Sequence, residues 1–228
     1  MSLNLITEWW MNNERLVALL IDALIDTLVM VFSSGIIGFL FGIPIGVILH
    51  TTKKRGLLEN KTLNKMLGAV VNTGRSIPFI ILMVAIIPFT RLIVGSSIGT
   101  AAAIVPLTIG AIPFIARLVE GALLEVPNGL VEAAQAMGAK PKQIITKVLL
   151  PEALPGILNG VTITLVTLVS YSAMAGAVGG GGLGDVGIRY GYQRFDGTVM
   201  AITIVMLVIL VQIIQSVGDH FVKKYDYR

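Results

Sequence analysis

Five long apolar segments constrain what this chain can fold into. Each is about 20 residues or longer, which is the length an α-helix needs to cross the hydrocarbon core of a bilayer. Only 13% of all residues are charged, against about 25% in a soluble domain, so lipid is the expected solvent for much of the surface. The sequence therefore predicts an all-α integral membrane protein with five transmembrane helices, bounded as Leu16–Leu49, Met66–Phe89, Ser97–Ala116, Gly156–Val178 and Thr198–Val217.

Lysine and arginine are distributed unevenly over the segments that connect these spans. Five lie in residues 50–65, four in residues 117–154 and three in the tail from residue 218, whereas the opposite segments carry four in all. Because basic loops stay on the cytoplasmic side of a membrane, this asymmetry predicts an N-terminus outside and a C-terminus in the cytoplasm. The chain then divides into an outer-face segment (residues 1–25), a transmembrane domain (26–217) and a cytoplasmic tail (218–228).

Glycines and prolines within the spans predict where helices pack closely and where they bend. Gly38, Gly42 and Gly46 recur at a spacing of four, which predicts a flat helix face that a second helix can approach closely. Prolines remove a backbone donor, so bends are expected at Pro44, Pro78, Pro106 and Pro113.

Several function classes are disfavoured by what the sequence lacks. It has no cysteine, no His/Asp/Glu group at metal-ligand spacing and no glycine followed by lysine, so no enzyme activity, metal or cofactor is expected. The segment "GLGDVG" (182–187) matches a dinucleotide pattern but follows an apolar span instead of a strand, and it is interpreted as a flexible external loop. The net charge of +4 is explained by topology and does not indicate nucleic acid.

A polar segment, interrupted by glycine and proline, separates the third and fourth spans. It begins with the helix formers around Glu132, reaches a glycine suited to a left-handed stop at Gly138, and restarts at Pro141, a residue favoured in the first helical turn. Composition alone leaves two alternatives for its first helix, a contact in the groove of a partner protein or an amphipathic helix resting on lipid headgroups.

The spacing of this segment resembles the EAA loop of the type I ABC importer permeases. That pattern is Glu-Ala-Ala, three residues, Gly, nine residues and Ile-x-Leu-Pro, and Val148 takes the place of the isoleucine here. In the family this loop carries a coupling helix that docks into a cleft on an ATP-binding subunit. The resemblance thus implies a cytoplasmic coupling helix between spans 3 and 4, with the ATPase-coupling residues Glu132, Ala133, Ala134, Gly138, Leu150 and Pro151.

Longer stretches, among them "AAIVPLTIGAIPFIARLVE" and "VSYSAMAGAVGGGGLG", are similar to the permeases of methionine ABC importers, from about Asp26 to the C-terminus. This resemblance implies a multi-pass protein of the bacterial inner membrane that forms a homodimer. It also implies two copies of an ATP-binding subunit, a periplasmic or lipid-anchored substrate-binding protein, and L- and D-methionine as cargo. The alternatives are another small amino acid or related solute, or a membrane scaffold or channel without an ATPase.

Two further positions are candidate functional residues. Met174 is a bulky side chain among small ones in the fourth span, next to Ser170 and Ser172, and two copies in a dimer would form an apolar gate on the path; the alternative is that Met174 fills a packing gap. Arg75 is a charge within the second span. Its side chain either extends to the cytoplasmic headgroups or stays buried and satisfies carbonyls near Pro78.

Overall fold

The computed structural model describes residues 14–225, which form helices joined by short turns and include no β-strand. The π-helical turns Ile145–Leu149 and Gly187–Tyr192 continue the seventh and tenth helices. Residues 14–25 of the expected outer-face segment form the start of the first helix, and the rest of that segment lies outside the described residues. The helices are α1 (Glu14–Thr52), α2 (Lys61–Ser76), α3 (Phe79–Ala85), α4 (Ile87–Val94), α5 (Thr100–Leu124), α6 (Asn128–Ala136), α7 (Pro141–Ile144), α8 (Leu150–Glu152), α9 (Leu154–Ala177), α10 (Gly182–Val186) and α11 (Gly197–Tyr225).

Four of these helices, α1, α5, α9 and α11, are long and apolar enough to cross a membrane. The bent pair of α2 and α3 meets the same criterion when its two parts are taken together. The all-α class and a count of four to five membrane helices are therefore confirmed within residues 14–225.

The second predicted span, Met66–Phe89, is not one continuous helix. The chain bends by 100° between α2 and α3. Pro78 cannot donate a backbone hydrogen bond and disfavours a helical residue before it, and Ile77 accordingly adopts the extended φ of −80° and ψ of 123°. The prolines at 44, 106 and 113, in contrast, lie inside α1 and α5, which continue through them.

The glycine face of α1 packs against α5, as the spacing predicts. A Cβ placed on Gly42 would lie 2.7 Å from the Cβ of Ile115, and one on Gly46 would lie 2.6 Å from the carbonyl oxygen of Ala116. These distances are shorter than any real Cβ contact, so only glycine permits the two backbones to come this close.

The contacts also fix the directions of the helices. Gly38 faces Ala111 while Gly46 faces Val119, so α1 and α5 run parallel. Two parallel helices in succession require the intervening chain, α2 to α4, to return to the opposite end of the bundle. The helices that follow are antiparallel, since Gly156 of α9 faces Ala122 of α5 and Gly218 of α11 faces Thr162 of α9.

The glycine-rich segment after α9 is not the external loop expected from the sequence. Residues 182–186 form α10, and the side chain of Leu183 is fully buried. The Thr27 hydroxyl in α1 accepts a hydrogen bond of 2.9 Å from the N–H of Leu183 and donates to the carbonyl of Ala23. Cβ atoms at Gly176 and Gly184 would lie 2.4 Å from backbone atoms of Asp185 and Ala173, respectively. The glycines allow a tight re-entry of the chain into the bundle.

Candidate functional site

The segment between α5 and α9 contains the helix–turn–helix that the sequence predicts. The N–H of Ala139 donates to the carbonyl of Ala134 at 3.0 Å, and the N–H of Gly138 donates to that of Gln135 at 2.9 Å. This pair of bonds is the Schellman arrangement that satisfies the last carbonyls of a helix. Gly138 has φ of +77°, so the predicted left-handed stop is confirmed.

The second part of the segment begins at Pro141, the first residue of α7, as predicted. The N–H of Lys140 donates to the Gln143 side-chain oxygen at 2.8 Å and thereby caps this helix start. Ile144 and Leu149 are buried against the rest of the bundle, whereas Lys142 stays exposed. These two apolar side chains attach the segment to the membrane domain.

The first helix, α6, has one buried side and one open side. Ala134 is 4% exposed and packs in the main core, while Glu132 and Ala133 are exposed. Of the other candidate coupling residues, Leu150 is partly buried and Pro151 is exposed. Glu132 has no hydrogen-bond or ion-pair partner among residues 14–225.

An apolar stripe on the open side of α6 was missed by the sequence analysis. Leu130 is 42% exposed and Met137 is 81% exposed, with Ala133 between them. The spacing of these three residues, i, i+3 and i+7, places them on one helix face, and that spacing is the signal from which the stripe could have been found.

Met174 lies at a groove between α9 and α11. The groove has a volume of about 630 Å³, and its walls include Ser170, Met174, Leu207 and Val211. Met174 is 45% exposed in it. Ser172, in contrast, is 1% exposed and donates a hydrogen bond of 2.8 Å to the carbonyl of Val169, so only Ser170 of the two serines shares the groove with Met174.

Arg75 lies at the last turn of α2, beside the 100° bend, and is exposed. It borders a cavity of about 180 Å³ that is also lined by Tyr171 of α9. Unlike Arg75, Arg117 near the end of α5 forms an ion pair, with Glu120. Across residues 14–225, no three His, Cys, Asp or Glu side chains are arranged so that they could hold a metal ion.

Known proteins resemble this chain in sequence and in fold. Residues 42–227 match the family model of the binding-protein-dependent transport system inner membrane component. The probable D-methionine transport system permease protein MetI of Vibrio cholerae is 70% identical over 228 residues, which is 100% of both chains.

The protein of the same description in Pasteurella multocida is 50% identical and covers 90% of this chain and 94% of its own. A solved structure of the MetNI methionine ABC transporter in an inward-facing conformation contains a similar chain. It has a TM-score of 0.92 and 57% identity, and the match covers 94% of this chain and 99% of that one. This chain belongs to the family of inner membrane components of binding-protein-dependent transport systems.

Proposed function

We propose that this chain is the permease subunit of an ABC importer that carries methionine, as the L and the D isomer, across the bacterial inner membrane. The observation that carries the proposal is the helix–turn–helix between α5 and α9, whose spacing matches the coupling segment of importer permeases and whose α6 presents an unpartnered face. The identity of the cargo is supported by relatives of 70% and 50% identity that are described as D-methionine permeases.

The energy for transport comes from a separate ATP-binding subunit, present in two copies. The sequence has no phosphate-binding glycine-lysine motif of its own. A groove on the ATPase would bury the apolar stripe of Leu130, Ala133 and Met137, the last of which directly follows α6, and Glu132 beside the stripe would pair with a basic group there. Ala133 and Ala134 keep the helix narrow enough to enter a cleft.

The path for the cargo lies between two copies of this chain. The groove at Met174 is wide, apolar and open on one side, which is the form expected of a surface completed by a second copy. Met174 of each copy would meet near the symmetry axis and close the path with flexible apolar side chains. A periplasmic or lipid-anchored binding protein would deliver the cargo to the opposite face.

In the topology that we propose, with five spans, the N-terminus lies outside and the coupling helix and the C-terminus lie in the cytoplasm. Support comes from the parallel α1 and α5, which need the α2–α4 segment as a return crossing. The ends of α1, α5 and α11 then share one face with the basic segment 53–65 and with Lys223 and Lys224.

A reporter fused after Arg228 tests this topology. We expect cytoplasmic fluorescence from a green fluorescent protein fusion and no activity from an alkaline phosphatase fusion, because Lys223, Lys224 and Arg228 hold this end inside. The same two reporters placed after Ser96, in the segment between α4 and α5, are the control and should show the opposite pattern. High phosphatase activity at the C-terminus would overturn the orientation of all five spans.

The gate at Met174 has its own test. We expect Met174→Ala to leave the complex assembled but to make it leak, because the side chain faces a groove instead of the core, where truncation costs about 2–5 kcal/mol. Solute efflux from vesicles, and ATPase activity that depends less on the binding protein, would show the leak. Met66→Ala, an exposed methionine of α2 that does not border this groove, is the control. If a cysteine at position 174 resists water-soluble thiol reagents in every state of the cycle, Met174 does not line the path.

The function as a whole is tested by capture of its partner. The tagged permease, extracted in mild detergent, should co-purify with the ATP-binding subunit of its own species in a ratio of one to one, and the pair should have the mass of a complex with two copies of each. A permease that purifies alone under conditions that keep it folded would favour a scaffold or channel instead.

A further inference from the structure

A partly open cavity lies beside the bend between α2 and α3. Its volume is about 180 Å³, and side chains from four helices line it. The lining residues that matter here are Arg75, Phe79, Leu82, Phe114 and Tyr171. Gly110, half-way along the 25-residue α5, forms part of the wall, so the cavity lies near mid-height of that helix.

The guanidinium of Arg75 is unpaired within the part of the chain that the structure describes. Among residues 14–225 it makes no hydrogen bond or ion pair, whereas Arg117 pairs with Glu120 and Arg189 with Asp185. Arg75 lies 14 residues after the first residue of α2, about 21 Å along the helix axis from its start. A Cβ on the adjacent Gly74 would lie 3.0 Å from the side chain of Pro113 in α5, so Arg75, although exposed, lies near mid-height of the helix bundle. Charged residues at such positions in membrane domains mark ligand or ion pathways.

The other walls of the cavity are apolar and aromatic. The rings of Phe79 and Tyr171 are stacked, with their centroids 4.4 Å apart and their planes at 6°. This pair connects the start of α3 to α9 and holds the Tyr171 side chain at the same cavity as Arg75. Phe114 and Leu82 complete the apolar side.

A cation beside aromatic and apolar walls is the arrangement expected for a ligand that has a carboxylate and an apolar side chain. A guanidinium binds a carboxylate through two parallel hydrogen bonds, and a tyrosine hydroxyl can donate a third. A thioether gains from contact with aromatic rings. Interrupted helices near mid-membrane are also the places where transporters form solute sites, because irregular backbone is tolerated only where it lines a cavity.

We propose that the cavity at the α2–α3 bend is a transient binding site for the amino-acid cargo, in which Arg75 holds the α-carboxylate and the Phe79–Tyr171 pair contacts the apolar side chain. The proposal rests on the proposed function of this chain as an amino-acid permease. A lipid phosphate offers Arg75 a similar anionic partner, and the test separates the two sources.

The test measures binding of radiolabelled methionine to the purified permease–ATPase complex by equilibrium dialysis, in a maltoside detergent and a buffer that both lack phosphate. We expect saturable binding that Arg75→Gln weakens at least ~10-fold, as loss of a charge-assisted bidentate contact does, and that Arg75→Lys weakens less. Methionine amide and 3-(methylthio)propylamine, which lack the carboxylate, should not displace the label. Arg91→Gln is the matched control, since Arg91 is hydrogen-bonded to Ser97 in the turn before α5.

Three results of the binding measurements overturn the proposal. These are equal binding by wild type and Arg75→Gln, no saturable binding by the wild type, and a loss in Arg75→Gln of bound phosphatidylglycerol with no change in methionine binding, which would assign Arg75 to lipid. Uptake by proteoliposomes of the complete transporter separates this proposal from the function itself. Wild-type vesicles that import no methionine contradict the proposed function, whereas import that is unchanged in Arg75→Gln contradicts only the site.

Discussion

Glu132→Ala and Gly138→Asp should each lower ATP-driven methionine uptake at least ~10-fold while the permease remains inserted and dimeric. For Glu132→Ala, a loss of this size is expected because a charge-assisted contact is lost from an interface. Glu132 is exposed and has no partner among residues 14–225, so its removal costs the fold little. Gly138 has φ of +77° in open space, so a side chain there adds only about 1–2 kcal/mol of backbone strain. That strain is concentrated at the end of α6, where it moves the helix relative to the ATPase.

Initial uptake rates in proteoliposomes, normalised to permease content, measure the effect. Gly129→Ala is the matched control, because this glycine also lies in α6 and has open space around it but no positive φ. If the two variants disappear from the membrane, while Gly129→Ala does not, the segment is a folding element and the coupling role is wrong.

Gly184→Ala should prevent correct folding, in contrast to the variants of α6. A Cβ at this position would lie 2.4 Å from the Cα of Ala173 and 2.5 Å from its carbonyl oxygen, and backbone atoms cannot rotate away. Over-packing in a core costs about 1–3 kcal/mol when side chains can adjust, so a collision with backbone is expected at or above the top of that range. Gly176→Ala meets the backbone of Asp185 at 2.4 Å and should behave in the same way.

Size-exclusion chromatography of the detergent extract shows the result. We expect Gly184→Ala and Gly176→Ala to give aggregate or little protein, and Gly121→Ala, a glycine in α5 with nothing within 4 Å of its Cβ position, to give the wild-type peak. A monodisperse Gly184→Ala protein with wild-type thermal stability would show that α10 is not packed against α9 as described.

The sequence was most informative where one physical requirement acts locally. Apolar length located four of the membrane helices, and the spacing of Gly38, Gly42 and Gly46 correctly indicated the close contact of α1 with another helix. The stop at Gly138 and the restart at Pro141 were also predictable, because a left-handed residue and a first-turn proline each have few alternatives.

The sequence was less informative where the fold depends on distant contacts. Hydropathy predicts one continuous span over Met66–Phe89, because apolar length carries no information about the 100° bend of the chain at Pro78. The glycines of residues 176–184 are typical of a loop when taken alone. Gly176, Gly180 and Gly182 are buried instead, and the segment is tied to α1, where Thr27 accepts a hydrogen bond from Leu183 across 156 positions of the chain.

In the candidate site, too, the local features were predictable from the sequence and those that depend on distant contacts were not. The spacing of the segment from Glu132 to Pro151 predicted the helix, turn and second helix that the structure contains, but which face of α6 is open depends on the packing of Ala134 against the core. The sequence also grouped Ser172 with Met174, although helix geometry turns Ser172 inward to the carbonyl of Val169. The cavity beside Arg75 arises from the bend and from Tyr171, which lies 96 positions later in the chain and gave no signal of its own.

An ATP-driven path for methionine should form when this chain assembles with a separate ATPase. The direct measurement is uptake of radiolabelled methionine into proteoliposomes that contain the permease, its ATP-binding subunit and its binding protein. We expect accumulation that requires all three proteins and ATP, and that stops with the Glu132→Ala permease. Accumulation of methionine without ATP or without the ATPase, or no accumulation by the complete and active assembly, would contradict this expectation.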